Sequence, residues 1–179
     1  MSQLSSDLLQ QALHLAKLDA KKPKQANLRR AVSSAYYGLF HFLIEQAVSQ
    51  VIGTANNVKD LRLLVSRAFV HGTMKKVCSQ FCAKTPPQNI LKNHWSWRSN
   101  QSAHLLVTFA TTFIDLQEER HRADYDLTKP FTKAEAIALV DSSIQATKDW
   151  NHARKNLADG THLFCLSLLL FENLLKRTS

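Results

Sequence analysis

Two stretches of this chain carry residue types able to hold a phosphate and move a proton. In Arg30-Ala-Val-Ser-Ser-Ala-Tyr-Tyr-Gly-Leu-Phe-His41, the residues Arg30, Ser34, Tyr37 and His41 recur at steps of four, three and four. That spacing sets them on one face of a helix. Arginine offers phosphate a planar fork of donors, and histidine exchanges a proton near neutral pH. In Leu116-Gln-Glu-Glu-Arg-His-Arg-Ala-Asp-Tyr-Asp126, three pairs stand four apart: Arg120 and Asp124, His121 and Tyr125, Arg122 and Asp126. A helix that persists through the segment makes each pair surface neighbours. Plain structural roles compete with this chemistry. Tyr37 and His41 would then be hydrogen-bonded interior residues with Arg30 solvated. The second stretch would be an ion-paired helix end, each exposed pair contributing about 0.3–0.5 kcal/mol.

The elements that must carry these residues read as helices. Of 179 residues 45% are hydrophobic and only four are Gly and four Pro, too few breakers for the turns of an all-β fold. Leu9, Leu13, Ala16 and Ala20 predict a first helix over 5–20, stopped at Lys21-Lys22-Pro23-Lys24. Leu28, Val32, Ala35, Leu39, Leu43, Ala47 and Val51 predict a second over 25–52, its buried stripe roughly opposite the Arg30–His41 face. Gly53 is its expected cap. Gly38 costs about 1 kcal/mol relative to alanine inside a helix, and so marks close approach of another backbone or a ligand.

A third pattern runs over 58–82 through Leu61, Leu64, Val65 and Ala68, with an interruption at His71-Gly72 and a stop at Pro86-Pro87. Residues 84–100, with His94, Trp95, Trp97 and Arg98, read as a loop insertion within a single domain over 1–179. A fourth helix over 101–122 turns Leu105, Phe109, Phe113 and Leu116 inward. Thr132 and Glu135 form a capping box that opens a fifth. It carries Ile137, Val140, Ile144 and Trp150 and is broken at Asp159-Gly160, and a last apolar helix spans 162–176. The expectation is an all-α, antiparallel bundle of five or six helices.

Lys and Arg number 23 against 14 Asp and Glu, a formal charge of +9. Such a surplus favours a polyanionic partner through counterion release, or is simply a basic solvated surface. Cys78, Cys82 and Cys165 fit no disulfide framework, and the polar start shows no signal-peptide apolar core, so a cytoplasmic protein with free thiols is expected. The most apolar stretch, 163–175, includes Ser167, Glu172 and Asn173 and is too short and polar for a membrane span.

Arg29, Tyr36, Tyr37 and His41 on one helix, followed by Arg120, Asp124 and Tyr125 at the end of a later one, resemble a branch of small bacterial and archaeal HEPN-domain proteins. The resemblance covers roughly residues 5–158, and Ala-Tyr-Tyr and Arg-Ala-Asp-Tyr are its most specific segments. It implies a helical bundle that dimerises, with these helices beside a cleft and RNA or a nucleotide as partner. Active members are metal-independent ribonucleases, often toxins or antiviral effectors. In them an Arg steadies the phosphate while a His takes part in proton transfer, as the ribose 2′-hydroxyl attacks phosphorus. No cofactor or metal is implied. A homodimer follows from the resemblance, and in a toxin–antitoxin setting so does a nucleotidyltransferase-like partner.

Carried onto this chain, the resemblance makes Arg120 and His121 the candidate catalytic residues, with Asp124 orienting the arginine. Arg30, Tyr37, His41, Arg122 and Tyr125 would contact nucleic acid or nucleotide. One departure weighs against cleavage. The superfamily's Arg and His have four to six residues between them, and here the matching positions hold Tyr125, Asp126 and Leu127. His121 is adjacent to Arg120, and adjacent helical residues do not face one another. Binding therefore stands better than catalysis. A second reading makes the same two stretches interface contacts of a non-catalytic dimeric module.

Other signals carry less. Arg98 and His104 have a matching separation but sit at the start of the fourth helix. Cys78 and Cys82 near His71 lack the second ligand pair of structural zinc. Trp95 and Trp97 either stack on bases or fold back to close the core.

Overall fold

The computed structural model describes residues 3–19, 21–84 and 96–176, with side chains through Phe171. Ala20, Pro86-Pro87, His94 and Trp95 lie outside the described residues. Among the described residues the chain is all-α, with seven helices: α1 (Gln3–Lys17), α2 (Gln25–Ile52), α3 (Lys59–Ser66), α4 (His71–Cys82), α5 (Ala103–Tyr125), α6 (Lys133–Asn156) and α7 (Ala158–Lys176). The expected count of five or six becomes seven because the third pattern is two helices. The chain turns extended at Val70 (φ −118°, ψ 131°), which caps α4 at its start, so His71-Gly72 begins a helix rather than breaking one.

The second boundary also moves. The break between α6 and α7 falls at Leu157, and Asp159-Gly160 lies in the first turn of α7. Gly160 serves packing: a Cβ there would stand 2.8 Å from Leu157 Cγ and 3.2 Å from Trp97 Cβ. Gly53 behaves as expected, with φ +95° and its N–H bonded to Ser49 O at 3.1 Å.

The chain groups into two compact units, Met1–Phe42 with Thr112–Lys148, and Leu43–Thr111 with Asp149–Ser179. In the first, Leu9, Ala12 and Ala16 of α1 are buried, as are Leu28, Val32, Ala35, Tyr36 and Leu39 of α2 and Phe113 and Leu116 of α5. Tyr36 packs on Phe113 with ring centroids 5.7 Å apart. The Ser143 hydroxyl of α6 donates to Ala35 O at 2.9 Å. The capping box forms: Thr132 N–H donates to Glu135 Oε2 at 2.7 Å and Glu135 N–H to Thr132 Oγ1 at 3.1 Å. The Thr132 N–H and the Thr132 hydroxyl, which also donates to Oε2 at 2.9 Å, hold the Glu135 carboxyl below its ordinary range.

In the second unit α4 packs on α7. Phe81 meets Phe164 at 4.5 Å and Phe109 meets Trp150 at 4.8 Å, centroid to centroid. Trp150 Nε1 donates to Gln46 Oε1 at 3.2 Å, which satisfies a buried donor. Residues 96–99 form a short 3-10 turn. From it Trp97 folds back, buried, and stacks on Phe81 at 5.4 Å. Arg98 donates to Phe81 O and Ala83 O at 2.9 and 3.0 Å, closing the end of α4. No described helix is long and apolar enough to cross a membrane.

Candidate functional site

The candidate side chains of both stretches belong to the first unit. Arg30, Ser34, Tyr37 and His41 of α2 line one groove of about 320 Å³, together with Leu4, Leu8 and Gln11 of α1. Gly38 is where α1 comes closest. A Cβ on it would stand 2.7 Å from Leu9 Cδ2, and its carbonyl accepts the Ser5 hydroxyl at 2.8 Å. The missing side chain thus admits a helix, not a ligand. Ser34 Oγ donates to Gln11 Oε1 at 3.3 Å across the groove floor. Arg30 is exposed and makes no hydrogen bond or ion pair with a described residue. His41 is half-buried, and burial pushes its imidazole below the ordinary value of 6.5, which favours the neutral ring.

Arg120 stands behind Tyr37. Its Nη2 donates to Tyr37 Oη at 2.6 Å, and its Nε lies 2.9 Å from Asp124 Oδ2. Its guanidinium carbon is 5.3 Å from the Tyr37 ring centroid and 5.8 Å from that of Tyr125. The other Asp124 oxygen accepts the Ser33 hydroxyl. Burial works against the Arg120 charge, but the Tyr37 hydrogen bond and the Asp124 carboxylate help to outweigh it, and the group stays protonated. Its charge is already answered. In this unit the unanswered cation on the groove is Arg30, not Arg120.

No family model, curated protein or solved structure matches the chain. The site therefore rests on its own geometry.

That geometry joins some expected residues and separates others. Arg30, Tyr37 and His41 share the groove, and Arg120, Asp124 and Tyr125 connect to it through Tyr37. His121 is exposed, its ring 4.9 Å from that of Tyr125. Arg122 pairs with Glu119 at 2.7 Å and lies over the Phe131 ring at 4.2 Å. The Arg122–Asp126 pair expected from spacing does not form, because α5 ends at Tyr125. Asp126 instead accepts from Thr128 Oγ1 and N at 2.6 and 2.9 Å, and these bonds lower its pKa.

Two residues gain roles that spacing alone does not give. Arg29, present in the HEPN-like pattern, donates through Nη1 to the carbonyls of Ala123 and Asp126 at 3.0 and 2.8 Å, with a longer bond to Arg122 O at 3.3 Å. Its Nη2 reaches Lys129 O at 2.8 Å. It thus supplies donors to the end of α5, where helical carbonyls lack partners and a cation is favoured. The available signal was the absence of a glycine cap after Tyr125. Ser33, one residue before the Ser34 of the expected face, fixes Asp124.

Among the described residues no three His, Cys, Asp or Glu side chains gather to hold a metal. Cys78 is buried, which drives its thiol pKa well up, and Cys82 Sγ lies 3.4 Å from Thr111 Oγ1. Arg98 is spent on the end of α4, and His104 Nδ1 lies 2.8 Å from Gln101 O, so that pair is held by local backbone contacts.

Proposed function

We propose that the α1–α2 groove binds a phosphate-bearing ribonucleotide, as a free nucleotide or as a segment of single-stranded RNA. The observation that carries this is Arg30: an exposed arginine without a described partner, on the same groove as Ser34, Tyr37 and His41. A guanidinium so placed is free to take a phosphate in a two-pronged contact. Tyr37, half-buried, brings an aromatic ring to the groove lining. The groove volume, about 320 Å³, lies at the small end of ligand sites. The chain's charge of +9 favours approach of a polyanion. Arg120 acts here as a positioning residue, holding Tyr37 by its hydroxyl. Cleavage, which the HEPN resemblance implies, would ask the neutral His41 imidazole to accept the ribose 2′-hydroxyl proton, since His121 is not among the groove-lining residues.

The test is fluorescence anisotropy with a labelled single-stranded RNA and, separately, a labelled nucleotide, both in EDTA. Arg30→Ala should weaken binding roughly tenfold and lower the salt slope by about one ion. Equal affinity of wild type and variant for both probes would sink the proposal. Shortened RNA in the wild-type sample would add cleavage to binding.

A further inference from the structure

α1 and α2 run antiparallel, and a basic turn joins them. Three contacts mark the pairing along its length: Ser5 Oγ donates to Gly38 O at 2.8 Å, Ser34 Oγ to Gln11 Oε1 at 3.3 Å and Asn27 Nδ2 to Asp19 Oδ2 at 2.7 Å. The groove lies along the first two, with Leu4 and His41 towards one end and Gln11 and Arg30 towards the other. From Gln11 the chain runs on six residues to Lys17, and from Arg30 back six residues to Lys24, just before α2. Each path covers about 9 Å at 1.5 Å per helical residue. No acidic residue stands on either path.

The turn holds Lys21, Lys22 and Lys24, exposed as Lys17 is. Among the described residues none of these four lysines lies in an ion pair. Asp19 is the one carboxylate there, and it faces α2, where it accepts from Lys24 N at 3.0 Å as well as from Asn27. Lys133, at the start of α6, donates to Lys17 O and Asp19 O at 3.5 and 3.0 Å and brings a further positive charge. These bonds fix the turn, so the lysines project from a held backbone. Five lysines against one carboxylate put a large share of the chain's +9 beyond one end of the groove. A field of one sign attracts a chain of phosphates more than a single one. The other end, with Leu4 and Leu8, offers apolar surface instead.

We propose that Lys17, Lys21, Lys22 and Lys24 form a second phosphate subsite, and that the ligand is an RNA strand several nucleotides long, not a free nucleotide. The inference rests on the groove reading. Arg30 takes one phosphate, the Leu4–Leu8 end takes that nucleotide's base, and the backbone leaves over the turn. About 9 Å is two or three nucleotides at a stacked rise of about 3.4 Å, so a hexanucleotide spans both subsites.

The experiment titrates wild type and variants of the full chain against two labelled probes in low salt with EDTA: a hexaribonucleotide and a ribonucleoside monophosphate. Wild type should hold the hexanucleotide at least roughly tenfold more tightly. Lys21→Ala/Lys22→Ala/Lys24→Ala, with unchanged helical circular dichroism, should lose that advantage, keep its affinity for the monophosphate and lower the salt slope on the hexanucleotide by about two. Lys76→Ala/Lys148→Ala/Lys155→Ala removes the same charge from exposed positions elsewhere and should leave both affinities near wild type. A wild type that binds both probes equally would overturn the proposal, whatever the variants do. So would a turn variant that holds the hexanucleotide as wild type does, or an equal loss in the control variant. The groove reading fails separately, on a probe the turn does not touch: Arg30→Ala would then bind the monophosphate as wild type does, and this proposal would fall with it.

Discussion

Tyr37 and Arg120 hold each other across 83 positions of sequence: the guanidinium donates to the phenol oxygen at 2.6 Å and sits 5.3 Å from the centre of its ring. Asp124 Oδ2 lies 2.9 Å from Nε of the same guanidinium. Tyr37→Phe keeps the ring and removes the acceptor. A hydrogen bond to a charged group contributes about 1.5–3 kcal/mol, and partial exposure puts this one near the lower end. Urea unfolding should show that loss. Combined with Arg120→Ala, the two effects should fall clearly short of additive, and full additivity would mean that the pair does not couple.

Arg29 is expected to matter for stability more than for ligand. Arg29→Met removes the donors to carbonyls in the last turn of α5 and just beyond it. It should cost about 2–3 kcal/mol in thermal or urea unfolding. Arg29→Lys should recover little, because an ammonium lacks the fork that reaches several carbonyls at once. Full recovery by lysine would show that charge alone serves there.

Gly38→Ala tests the close approach of α1 and α2. Alanine gains about 1 kcal/mol of helix propensity, yet its Cβ would meet Leu9 Cδ2 at 2.7 Å. Overpacking should win, with a net loss of about 1–3 kcal/mol. In the Leu9→Ala background the same change should be neutral or stabilising. A stabilised single variant would place α1 farther from Gly38.

His41 sets a pH window. Its folded pKa lies below the ordinary 6.5, so the unfolded chain takes up the proton first and stability falls as pH drops from 6.5 through the folded value. His41→Gln should flatten that part of the profile. Glu135 acts at lower pH: its depressed carboxyl contributes above 4.5, and that contribution is lost as pH falls through its folded value. Equal slopes between pH 6.5 and 5 for wild type and His41→Gln would contradict the assignment.

Helical periodicity made most of the fold legible. Leu28, Val32, Ala35, Leu39, Leu43 and Ala47 are buried as their spacing requires, and the Thr132–Glu135 box opens α6. Breaks were less legible, because glycine has two uses. Gly53 ends a helix at positive φ, whereas Gly38 and Gly160 sit inside helices to let neighbours close in. The Arg30–Ser34–Tyr37–His41 face follows from spacing, since side chains on one helix share a direction set by its period. What spacing could not give is which charge is already answered. Spacing already offers Asp124 to Arg120, but only contacts distant along the chain, Tyr37 on Arg120 and Ser33 on Asp124, show how firmly Arg120 is held, while Arg30 has no such contact with a described residue.

The most direct measurement is anisotropy of a labelled single-stranded RNA titrated with wild type, Arg30→Ala and Lys76→Ala in low-salt buffer with EDTA. Lys76 is an exposed cation outside the groove-lining set. The account predicts roughly tenfold weaker binding for Arg30→Ala and little change for Lys76→Ala. Equal loss in both variants would mean diffuse attraction by a basic surface, and no loss in either would contradict the groove as the site.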